Sequence, residues 1–168
     1  MRHTISVLVE NQFGVLSRVS DLFSARGYNI DSLCVGETTD PSVSRMTVVV
    51  RGDDRVLEQI INQLNKLVST IEVVDLTKQD FVERELVMLK MEVAPQQRTE
   101  IIEIANIFRA KVVDMGKGAL TVEATGAGDK LTAFIDMMRP FGIQELVRTG
   151  RIAIARSPKE EGANNGNG

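Results

Sequence analysis

Apolar residues recur along this chain at two spacings, and the two alternate in an order that is then repeated. A spacing of two sends successive side chains to opposite faces and reads as a strand. A spacing of three to four lines one face of a helix. His3 to Glu10 alternates as a strand. Val15, Leu16, Val19, Leu22 and Phe23 make a helix face over about Val15 to Arg26, which Gly27 stops. Strands over about Ile30 to Thr38 and Ser44 to Arg51 flank the turn cluster Thr39-Asp40-Pro41-Ser42. Asp53 is placed to cap a second helix, striped by Leu57, Ile60, Ile61, Leu64 and Leu67. Ile71 to Leu76 closes the unit as a strand.

The order is βαββαβ, and from about Arg84 it begins again. Val87, Leu89, Met91 and Val93 alternate up to Pro95, and Ile101, Ile104, Ala105 and Phe108 share a helix face. Strands over about Lys111 to Met115 and Ala119 to Thr125 enclose Gly116-Lys117-Gly118. Leu131, Phe134, Ile135 and Met138 make the next helix face, ended by Pro140 and Gly142, and a last strand runs over about Ile143 to Arg151. Each unit makes an antiparallel sheet with both helices on one side, the ferredoxin-like arrangement. The fold class is therefore α+β, with two ferredoxin-like βαββαβ domains. They span residues 1–77 and 78–154, with Thr77-Lys78-Gln79-Asp80 as the link. Residues 155–168 are rich in Gly, Asn and charge and are expected to be a disordered tail. The sheet face away from the first pair of helices should carry Leu33, Val35 and Val49. A partly apolar open face points to dimerisation or to packing on the second half.

Between the first strand and the first helix lies Asn11-Gln12-Phe13-Gly14-Val15-Leu16. The first amides of a helix lack intrahelical partners and sit at the positive end of its dipole. A carboxylate set against Gly14, Val15 and Leu16 would satisfy them, and Gly14 lets it approach the backbone. Asn11 could offer a carbonyl to an ammonium or a donor to a carboxylate. Such a group can hold an amino acid by its zwitterionic end. The same residues also describe a plain strand-to-helix turn, the commoner use of such a sequence.

Reactive chemistry is sparse. His3 is the only histidine, at the start of an edge-like strand, and a solvent-facing or interface role suits it better than catalysis. Cys34 is the only cysteine and reads as inert packing, which leaves no disulfide framework or cysteine-based zinc cluster and fits a reducing, cytoplasmic setting. Gly126-Ala127-Gly128-Asp129-Lys130 lacks the spacing of a phosphate loop and reads as a turn. A net charge of −3 without a basic stripe, and 4% aromatics, argue against nucleic acid. The N-terminus lacks a signal-peptide pattern, and no apolar run is long enough for a membrane span. A protein with no visible reactive site and one small-ligand turn suggests a sensor or regulator.

The run Ile5 to Val19, with Val9-Glu10-Asn11-Gln12-Phe13-Gly14-Val15-Leu16 at its centre, resembles an ACT domain. With Phe23 to Leu33, through Arg26-Gly27-Tyr28-Asn29-Ile30, it resembles the small, regulatory subunits of acetohydroxyacid (acetolactate) synthase. The resemblance spans nearly the whole chain, with the specific motifs in the first half. It implies a chain with no active site and no cofactor of its own. The partner would be a catalytic large subunit carrying thiamine diphosphate, Mg²⁺ and FAD, in branched-chain amino-acid biosynthesis. The small subunit would activate it and confer feedback inhibition by valine. It implies a homodimer through the first domains, with valine held by Asn11, Gly14, Val15 and Leu16 of one chain and by Asn29 and Ile30 of the other. The alternative is a stand-alone amino-acid-sensing ACT module acting on another enzyme or on transcription. The absence of a helix-turn-helix pattern speaks against the transcriptional form.

Overall fold

A computed structural model describes residues 1–158. The first half runs β1 (Arg2–Glu10), α1 (Val15–Ala25), β2 (Ile30–Glu37), β3 (Val43–Arg51), α2 (Asp54–Asn65) and β4 (Thr70–Asp75). After a 3₁₀ turn at Leu76–Lys78 come β5 (Phe81–Glu92), α3 (Arg98–Ile107), β6 (Lys111–Met115) and β7 (Ala119–Gly126). The chain continues with α4 (Gly128–Met138), β8 (Ile143–Arg148) and β9 (Ile152–Ala155). The sheets are antiparallel, ordered β2-β3-β1-β4 and β6-β7-β5-β8, with β9 added to the first residues of β5. These are two ferredoxin-like units of an α+β chain.

Period-two alternation gives each sheet one apolar face. Ile5, Val7 and Val9 stand opposite Val48, Met46 and Ser44, so the apolar side of β1 joins that of β3. Val19, Leu22 and Phe23 of α1 and Leu57, Ile60 and Leu64 of α2 close over them. The second core holds Val87, Leu89, Met91, Leu120 and Val122 under Ile101, Leu131, Phe134 and Met138. No residue belongs to both cores. Asp53 caps α2 as its type suggests: its Oδ1 accepts from Val56 N at 2.8 Å. Asp53→Ala should cost about 1 kcal/mol, to be read as a lower urea midpoint at unchanged slope.

Long-range pairing overturns several local expectations. β1 is not an edge strand, because β4 returns to pair along its free side. His3 is buried as well, on the helix side of the sheet opposite Val50 with Nε2 at 3.1 Å from Gly52 O, and is not solvent-facing. Leu33 and Val35 do not share the open face with Val49. They pair with Val48 and Met46 and lie on the helix side, because the β2–β3 register shifts between Ile30 and Ser32. The extra residue, Asp31, reverses the alternation for the rest of β2. The face away from the helices therefore carries Ser32, Cys34, Thr47, Ser6 and Thr4 around Val49, a mostly hydroxyl surface.

The expected last strand is broken at Thr149. Residues 149–151 leave the sheet as a loop, and an additional strand that was not expected, β9, pairs Ile152–Ala155 with Phe81–Arg84, which the 12-residue β5 is long enough to serve. The tail starts later than expected, since Ala155 closes β9 and Arg156 N donates to Asp80 O at 2.8 Å. The rest of the expected tail, residues 159–168, lies outside the described residues.

Candidate functional site

Gly14 caps the N-terminus of α1 at φ 81°, ψ −1°, the left-handed conformation that glycine adopts without strain. No side chain caps the helix there. Val15 N donates back to Gln12 O at 3.3 Å, so its amide is drawn away from a ligand, contrary to expectation. The amides of Gly14, Leu16 and Ser17 find no acceptor among the described residues. The Val15 side chain is buried in the first core. Leu16 is half-exposed and Phe13 fully so, leaving apolar surface around the free amides.

Asn11 is fixed from three directions. Its backbone N donates to Ser42 O at 2.7 Å, and its side-chain Nδ2 donates to Glu37 Oε1 at 3.1 Å and to Pro41 O at 2.9 Å. With both amide hydrogens occupied, only Oδ1 remains for a ligand, and Oδ1 is an acceptor. Of the two uses the sequence leaves open, the geometry favours an ammonium partner. The loop behind Asn11 is itself tied down. The Ser42 hydroxyl and amide bond Asp40 Oδ1 at 2.7 and 2.9 Å, and the hydroxyl chiefly holds the Asp40 carboxyl below its ordinary range. The turn cluster was legible in the sequence, whereas its grip on Asn11 was not.

Within one chain, Asn29 and Ile30 do not meet this turn. They follow the far end of α1, whose 11 residues span about 16 Å. Asn29 is exposed and Ile30 is partly buried against the first core.

A second feature escaped the sequence reading. A cleft of about 510 Å³ between the halves is lined in part by Arg2, Asp31, Arg51, Glu85, Arg148 and Arg151. Asp31 Oδ2 accepts from Arg51 Nε at 2.7 Å and from Arg2 Nε at 3.0 Å. The Arg51 hydrogen bond does most to hold the Asp31 carboxyl below its ordinary value, with Arg2 helping and desolvation opposing. A carboxyl depressed on folding stabilises the fold above its unfolded pKa, about 3.9, and that contribution is lost as pH falls through the lower folded value. Both arginines are mostly exposed. Asp31→Asn should therefore cost less than about 1 kcal/mol at neutral pH, with the gap shrinking below about pH 4 and in high salt. Thermal midpoints measured across that range check it.

Gly126 to Lys130 forms no phosphate cradle, because Lys130 Nζ turns back to Thr125 O at 2.9 Å. Among the described residues, no group of three or more His, Cys, Asp or Glu side chains is arranged to hold a metal ion. No helix among them is long and apolar enough to cross a membrane.

A ferredoxin-like domain with a glycine-capped first helix is the form of an ACT regulatory domain, and residues 5–72 match the family model of the "AHAS small subunit-like ACT domain". Residues 84–157 match "Small subunit of acetolactate synthase". The chain belongs to the acetolactate synthase small-subunit family. It is 53% identical to the probable acetolactate synthase small subunit of Archaeoglobus fulgidus, over 95% of this chain and 100% of that one. Its identity to the acetolactate synthase small subunit of Mycolicibacterium smegmatis is 48%, over 96% and 95% of the two chains. The crystal structure of the small subunit from Thermotoga maritima superposes with a TM-score of 0.87 at 37% identity, covering 94% of this chain and 99% of that one.

Proposed function

We propose that this chain regulates the catalytic large subunit of acetolactate synthase, raising its activity and making it sensitive to valine. The partner would carry thiamine diphosphate, Mg²⁺ and FAD, and this chain would bind none of them. The observation that carries the reading is the pairing of opposite polarities at one turn. Unsatisfied amides of Gly14, Leu16 and Ser17 suit a carboxylate, and the bound-off Asn11 leaves an acceptor for an ammonium. Leu16 and Phe13 supply apolar surface for a branched side chain.

The rest of the site would come from a second copy. β2 is an edge strand, and Ile30 and Glu37 are its ends. Antiparallel pairing with its counterpart would bring Ile30 of one chain opposite Glu37 of the other, beside the Asn11 that Glu37 bonds. Asn29 and Ile30 would then close the turn from across the interface. Valine would favour one arrangement of the pair, by no more than its preference between arrangements.

Calorimetry of the chain with valine, alone and with the large subunit, tests this. Saturable binding at one site per first domain is expected, together with valine-dependent inhibition of the complex. A chain that neither binds valine nor associates with a thiamine-diphosphate enzyme would defeat the proposal.

A further inference from the structure

We propose that the contact of Ser32 and Leu33 with Gly150 and Arg151 is the joint that carries effector occupancy from the first domain to the second. The inference rests on the reading of Asn29 and Ile30 as effector contacts, and asks how their state is passed on.

Three contacts lead there in sequence. Ile30 opens β2 opposite Val50, and one bulged residue later Ser32 resumes the pairing opposite Val49. Within the bulge, Asp31 is paired with Arg2 on β1 and Arg51 on β3. Only Asp31 separates Ile30 from Ser32, so the two are linked through the backbone itself. Ser32 Oγ accepts from Arg151 N at 2.8 Å, across the boundary between the two sheets.

Beside that bond the two backbones touch. A Cβ on Gly150 would stand 2.6 Å from Leu33 O, 2.8 Å from Leu33 C and 3.0 Å from Ser32 Oγ. The obstacle is main chain, so no rotamer change relieves it. Space, and not an unusual φ, is what requires glycine here.

The loop on the far side is fastened in turn to β5, an interior strand of the second sheet. Arg151 Nη1 lies 2.8 Å from Glu83 Oε2, and Arg148 bonds the buried Glu85. Thr149 N donates to Leu86 O, and Leu86 N donates to Thr149 Oγ1, each at 3.0 Å. Arg151 Nε also lies 3.5 Å from Glu85 Oε1, and these two residues are 16% and 7% exposed, so attraction between them is screened less than at the surface. A change at the start of β2 therefore meets a stiff connection into the second sheet.

Coupling between two binding events is reciprocal. We place the large subunit on the second domain, so the ratio of valine affinities with and without that subunit measures what the joint carries. The experiment is calorimetric titration of valine into the full chain and into the holoenzyme, for wild type, Ser32→Ala, Ser32→Thr and Gly150→Ala. The wild-type ratio should lie within the usual allosteric range of about 5–150-fold. In Ser32→Ala and Gly150→Ala it should fall toward one, while the affinity of the free chain stays within about twofold of wild type. Ser32→Thr keeps the hydroxyl and should restore the ratio. A merely structural role would instead weaken valine binding in the free chain and the holoenzyme together. Ser32→Ala removes a single hydrogen bond and keeps the test valid if Gly150→Ala does not fold. A wild-type ratio of one, or the wild-type ratio in both folded variants, would overturn the joint while leaving valine binding at Gly14 intact. No valine binding by wild type would instead defeat the effector site, and the joint with it.

Discussion

Gly14→Asp should abolish valine binding and valine inhibition, leave activation of the large subunit unchanged, and hardly move the thermal midpoint. Two opposed terms keep stability level. Gly14 sits at φ 81°, where a residue with a Cβ is strained by about 1–2 kcal/mol. Aspartate is one of the few residues that enter this region, and its charge at the uncapped helix start gains about 0.3–1 kcal/mol from the dipole. The new carboxylate would stand beside the free amides of Leu16 and Ser17, the donors assigned to the effector. The substitution thus places a permanent carboxylate where the transient one must bind. Hydrogen bonds to a charged group contribute about 1.5–3 kcal/mol each, so losing two weakens binding by more than about 100-fold. Gly14→Ala separates the causes. It carries the strain without the charge, so it should lower stability by about 1 kcal/mol while leaving the amides open. Calorimetry and inhibition assays on both variants decide the matter. A Gly14→Asp complex with ordinary valine sensitivity would remove the effector from this turn.

Phe134→Ala should unfold the second half of the chain and spare the first. Phe134 is fully buried, with its ring centroid 5.4 Å from that of Phe108. Truncating a buried phenylalanine costs about 3–5 kcal/mol, a large share of the 5–15 kcal/mol that stabilises a typical domain. The first core shares none of its residues with the second, so the loss should stay local. Differential scanning calorimetry should show the second domain's transition shifted down or absent, with valine binding by the first domain retained and activation of the large subunit lost. If the variant instead loses valine binding along with its second domain, the two halves fold as one unit.

Much of this fold was legible because its signals are local. The stripes of α2 and α4, the alternation of Met46, Val48 and Val50, and the cap at Asp53 need only neighbours to be read. What escaped depends on distant partners. The bulge at Asp31 adds one residue and reverses which side chains of β2 face the helices, with no mark in the composition. The interior position of β1 is decided by β4, and the break at Thr149 by the spare length of β5. At the candidate site, Gly14 was readable from its place between strand and helix. The orientation of Asn11 depends on Glu37 and Pro41, and the need for glycine at position 150 comes from Leu33 in the other domain.

The uncapped left-handed glycine at the head of α1 also bears on how regulation could be lost by mutation. Every glycine codon is one base from a codon for aspartate or glutamate. If the turn is the effector site, a single nucleotide change could silence the brake and leave the folded subunit assembled with its enzyme. Populations selected for excess end product should then collect lesions at this bend well before they collect lesions in either hydrophobic interior.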